Sequence, residues 1–132
     1  MFVDLNQKEV SGWFDIKGGG RVHLRLRTEE DEREIRAACV TTAVEYPLLD
    51  GKYQRFETEK TDMERFVTMS WERNIKGWEG ICDRKTKKAI PVTDENKVRL
   101  MKLVPSFREA YEEGLKALKK NEAAQAEELE KN

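Results

Sequence analysis

The chain predicts an α+β fold: N-terminal β-hairpins packed with three to four helices, the last helix long and projecting. Three observations carry that expectation. In "RVHLRLRT" Val22, Leu24 and Leu26 alternate with Arg21, His23, Arg25 and Arg27, the two-residue period of a strand with one buried face. Further along, Thr28 with Asp31 and Thr61 with Glu64 read as capping boxes, each ahead of apolar residues at three- and four-residue spacing. Between these two helix starts, Asp50-Gly51 separates two moderately apolar, aromatic runs and reads as a hairpin turn.

Taken in order, Trp13 to Ile16 and Arg21 to Arg27 form a first hairpin around the turn from Lys17 to Gly20. A helix follows from about Glu29 to Val40, with acids at its positive end and Ile35, Ala38 and Cys39 on its apolar side. The second hairpin runs from Val44 to Leu48 and from Tyr53 to Glu57, with Pro47 at an edge or bulge because it cannot donate to the ladder. From Thr61, the stripe Met63, Phe66, Val67, Trp71, Ile75 and Trp78 predicts an amphipathic helix ending near Gly77, its exit anchored by Trp78. Polar "DRKTKK" is then an excursion before Ile90-Pro91-Val92 returns to the core, and Thr93 caps a helix from Asp94 to Leu103. Val104-Pro105 breaks that helix. The last begins at Ser106 with the stripe Phe107, Ala110, Tyr111, Gly114, Leu115 and Leu118. Residues 1–120 therefore read as one domain, and 121–132 as a polar helical or disordered tail.

Composition narrows the function. The 132 residues are 39% charged, with 25 basic against 26 acidic side chains, a balance that argues against electrostatic capture of nucleic acid or of an anionic membrane. Nothing approaches the roughly 20 apolar residues of a membrane span, and "MFVDLNQKEV" lacks a secretory pattern, so a cytoplasmic protein is expected. Cys39 and Cys82 have no metal-ligand spacing and read as reduced, packed thiols. "KGGGR" has no helix start behind it to hold a phosphate, and no nucleophile motif is present; neither catalytic residues nor cofactor nor metal is expected. The row Arg21, Arg25 and Arg27 could grip phosphates, yet no aromatic residues interleave with it in the strand, and its simpler reading is a solvated strand face.

The order of parts resembles the small tail assembly chaperones of long-tailed bacteriophages and prophages. The resemblance is carried by "RVHLRLRT" running into an acidic helix, "EYPLLDGKYQRFE", "IKGWEGICD", "IPVTDENK", "VPSF" and a closing "EELEKN". It extends from about residue 13 to the end and is most specific over Ile75 to Lys97, although "DRKTKK" stands where relatives have an acidic residue followed by glycine. It implies a non-enzymatic protein of the bacterial host cytoplasm that binds the tape measure protein, the tail tube protein or both, as a single chain or a homo-oligomer. Two other readings stay open: a virion structural subunit of the tail or head-tail connector, and a small nucleic-acid-binding regulator.

Within the leading reading the roles divide along the last helix. Trp71, Ile75, Trp78, Phe107, Tyr111 and Leu115 are expected as structural anchors. The partner surface is expected farther out, on Leu118, Glu122, Glu127, Glu128 and Leu129, where a mixed-charge helix can lie along a helical partner.

Overall fold

The computed structural model of the protein describes residues 9–131, with side chains as far as Ala124. Strands β1 (Ser11–Asp15) and β2 (Arg21–Arg25) form the first hairpin, and α1 (Glu29–Cys39) follows. Four strands come next: β3 (Val40–Glu45), β4 (Leu48–Leu49), β5 (Lys52–Tyr53) and β6 (Phe56–Thr61). Then come α2 (Met63–Asn74), β7 (Ile75–Glu79), α3 (Asp94–Leu103) and α4 (Pro105–Lys131), which completes the predicted mixed architecture with a long last helix.

The main sheet has the order β1-β2-β7, antiparallel throughout. Its third strand corrects the sequence reading, which takes these residues as helix and loop. α2 is capped by Asp62, whose carboxylate accepts from the Arg65 amide, and it stops at Asn74 rather than near Gly77. At Ile75 the backbone becomes extended (φ −92°, ψ 114°) and enters β7 with no intervening loop. Val22 faces Trp78, His23 faces Gly77 and Leu24 faces Ile75, leaving Lys76 as the extra residue of a β-bulge. The bulge turns Ile75 and Trp78 to the same, inner face.

That face meets α3 and α4. Val22, Leu24, Ile75 and Phe107 are almost completely shielded from solvent, with Trp78, Leu100, Met101, Tyr111 and Leu118 around them. α4 lies close to the sheet because Gly114 has no side chain: a Cβ there would sit 2.6 Å from Leu24 Cδ1 and 2.8 Å from Phe14 Cδ2. Trp78 meets Phe107 edge-on, ring centroids 5.9 Å apart, and its Nε1 donates to the Ile90 carbonyl at 2.9 Å. It is an anchor, as expected, but of a strand and the returning connector rather than a helix exit. The intervening polar excursion is held by Asp83, which accepts from the amides of Lys85 and Thr86.

α1 is tied to this body by charge. Thr28 and Asp31 form both halves of the predicted capping box. The Asp31 carboxylate, 6% exposed, also receives both terminal nitrogens of Arg25 (2.8 and 3.3 Å) and lies 3.6 Å from Arg73. One side chain thus joins β2, α1 and α2. The Arg25 guanidinium and the Thr28 hydrogen bonds, outweighing burial, hold the Asp31 carboxyl at a pKa of about 2.

Two measurements test this architecture. Trp78→Ala should lower unfolding free energy in denaturant by about 3–5 kcal/mol, as large aromatic truncations in cores do; a loss below about 1 kcal/mol would show that the ring is not an anchor. For Asp31 the folded pKa lies below the ordinary value of 3.8, so its contribution is complete above that pH and disappears as pH falls toward about 2. It amounts to about 2 kcal/mol at neutral pH. Asp31→Asn should therefore lower stability at neutral pH and flatten the acid limb of the stability–pH curve; an unchanged acid limb would remove the assignment.

Candidate partner-binding site

The basic strand face is neutralised within the protein. Arg21 pairs with Glu79 at 2.7 Å and lies over the Trp13 ring, 4.4 Å from its centroid. Arg25 is committed to Asp31, and Arg27 bonds Ser70 Oγ at 2.6 Å and Glu32 at 3.1 Å. His23 stacks on Trp13 at 4.5 Å, and burial together with nearby Lys76 lowers its pKa, so it is neutral at physiological pH. An aromatic residue does accompany the arginines, then, supplied by the neighbouring strand β1 where the linear sequence does not reveal it. With an acid on every arginine of the row, the surface has little charge to offer a phosphate backbone.

The last helix holds fewer partner residues than expected. Leu118 is 4% exposed and belongs to the core, a correction of its expected partner role: its methyl packs beside Gly12 of β1. Glu122 is exposed, whereas Glu127, Glu128 and Leu129 lie outside the described side chains. Ile75, Trp78, Phe107 and Tyr111 are buried anchors; Trp71 and Leu115 are half-buried. These last two line a groove of about 480 Å³ with Leu26, Phe66, Asn74 and Tyr111. Burial pushes the Tyr111 phenol up to about 12, which keeps it protonated and unreactive at neutral pH. Of the two thiols Cys39 is buried as predicted, but Cys82, at the mouth of the polar excursion, is exposed. Among the described residues no cluster of His, Cys, Asp or Glu could hold a metal ion, and no helix is long and apolar enough to cross a membrane.

The exposed apolar surface is concentrated elsewhere, on the second hairpin. It is longer than the sequence predicts: Val40 faces Thr61, Glu45 faces Phe56, Leu48 faces Tyr53 and Leu49 faces Lys52, one continuous register from base to tip. Pro47 interrupts the ladder by lacking an N–H, yet its carbonyl still accepts from the Gln54 amide at 3.1 Å. At the tip Asp50 (φ 51°) and Gly51 (φ 76°) both adopt the left-handed conformation of a type I′ turn. The result is a two-stranded ribbon growing out of the end of α1 and back into the start of α2.

Eleven large hydrophobic side chains are exposed among the described residues, and six belong to this ribbon: Val44, Tyr46, Leu48, Leu49, Tyr53 and Phe56. The register puts Val44, Tyr46, Leu48 and Tyr53 on one face, with Tyr53 75% exposed. This exposed apolar face is the candidate interaction surface of the described residues. The sequence contains its signal in β6: "FETEKT" has no apolar alternation, and a strand without an apolar face covers no core.

No protein-family model matches the chain, and neither a curated protein nor a solved structure matches it significantly.

Proposed function

We propose that this chain is a non-enzymatic binding protein, a tail assembly chaperone of a long-tailed phage or prophage, acting in the host cytoplasm to hold a tail component during assembly. The observation that carries the binding role is the ribbon: six exposed large apolar side chains on a two-stranded projection with no core of its own. A side chain such as Tyr53 or Leu48 offers about 1.5–3 kcal/mol on burial, so the apolar face can supply an appreciable part of the gross binding energy that must offset the costs of association. The tail-assembly reading rests on the family resemblance, whose segment "EYPLLDGKYQRFE" spans the tip of the ribbon and whose "IKGWEGICD" contains β7. The tape measure protein and the tail tube protein are the partners this reading names.

The direct test is capture of each tail protein by purified chain carrying Tyr46→Ser, Leu48→Ser and Tyr53→Ser together. Exposed substitutions of this kind change stability by only about 0.5 kcal/mol each. The melting temperature should therefore hold while capture falls about tenfold or more. Capture of neither protein by the unaltered chain would end the tail-assembly reading, and undiminished capture by the triple variant would move the surface elsewhere. Mass spectrometry of purified virions separates a chaperone, absent from the particle, from a structural subunit present at ring stoichiometry.

A further inference from the structure

The two outer edges of the ribbon differ, and the difference identifies what one of them binds. A two-residue turn makes Leu49 and Lys52 a hydrogen-bonded pair, so inward bonding recurs at every second rung. The bond from Gln54 to Pro47 and, at the base, from the Asp62 amide to the Cys39 carbonyl (2.8 Å) keep that phase. The backbone N–H and C=O groups of Thr42 and Val44 and the C=O of Val40 therefore point away from β6, the Val40 N–H being held by the Arg36 carbonyl, and no described strand lies on that side. From Val40 to Val44 this edge has neither a charge nor a proline, the usual protections of an exposed edge. β6 has Glu57, Glu59 and Lys60 on the opposite edge.

We propose that β3 pairs with β3 of a second copy of this chain, antiparallel about a two-fold axis through Thr42, forming one four-stranded sheet of the order β6-β3-β3-β6. A two-fold axis perpendicular to a sheet brings together residues that point to the same face. Centred on Thr42, it sets Thr42 opposite Thr42, Thr41 opposite Ala43 and Val40 opposite Val44. This register alone matches all five uncharged residues with one another, and its bonds fall on the free groups of the edge: both groups of Thr42, and the Val44 N–H with the Val40 carbonyl. Threonine pairs and β-branched pairs are favourable across strands. The same construction on β6 fails on charge: centred on Glu57, Thr58, Glu59 or Lys60, it opposes glutamate to glutamate or lysine to lysine. Pairing also relieves the ribbon of being a lone two-stranded sheet, a marginal structure in water. An edge this short buries less than a standard interface, so the affinity is expected in the micromolar range. Because it uses the backbone of the ribbon's base rather than the side chains of its tip, the pairing stands independently of the tail-assembly reading.

Sedimentation velocity from low micromolar to millimolar protein tests it. The unaltered chain should pass from monomer to dimer, with amide exchange at Thr42 and Val44 slowing as concentration rises. Thr42→Lys and Thr42→Glu, each placing like charges across the axis, should stay monomeric where the unaltered chain dimerises, and their equimolar mixture should restore the dimer. Thr58→Lys on the other edge should leave dimerisation unchanged, and circular dichroism should report the same fold for all three variants. The proposal is overturned by a chain monomeric throughout, by a Thr42 variant that still dimerises, by a mixture of folded variants that stays monomeric, or by exchange at Thr42 that does not depend on concentration.

Discussion

Two helices in this protein pass into strands with no loop between them, and most of the architecture depends on those junctions. At Val40 and at Ile75 the backbone changes from helical to extended in one residue, and in both places the first extended residue still donates its amide to a carbonyl of the helix it leaves. No orphan group of a loop has to be satisfied there. The first junction launches the ribbon at a defined angle from α1, and the second delivers Ile75 and Trp78 to the inner face of the sheet. A flexible connector at the second would loosen Trp78, whose ring meets Phe107 of α4 edge-on.

Most elements were legible in the sequence because each is specified locally. The glycine turn before β2, the Thr28–Asp31 box, Thr93 ahead of α3 and the Asp50-Gly51 turn each act within a few residues. The error at β7 has a specific cause. Ile75 and Trp78 are three apart and both point inward, which is the signature of a helix; a bulge at Lys76 produces the same signature in a strand. Only pairing with β2, some fifty residues away in the chain, distinguishes the two. The N-cap shift from Thr61 to Asp62 has the same origin, since Thr61 is occupied as the last rung opposite Val40.

The partner surface was harder to read. Exposure depends on what the rest of the chain leaves uncovered, and periodicity does not report it. Leu118 closes the apolar stripe of α4, and that its side chain faces the core rather than a partner is decided by β1, beside which it is buried. Tyr46, Leu48 and Tyr53 look like ordinary strand residues, and only the fold shows that their face of the ribbon is left uncovered. Likewise Trp13 joins His23 and Arg21 through strand pairing, a contact between neighbours that linear spacing hides.

The constant register of the ribbon has an evolutionary consequence. Since side chains alternate every residue, removing or adding two residues on each strand shortens or extends the projection by one repeat and leaves every remaining side chain on its own face; a single-residue change would invert one strand. The body contributes to the ribbon at its base, where Arg36 lies 3.6 Å from Glu59 and Cys39 meets Asp62. Reach can therefore change in steps of one repeat while the core stays as it is, so a lineage can adjust how far the apolar tip extends without renegotiating the fold that carries it.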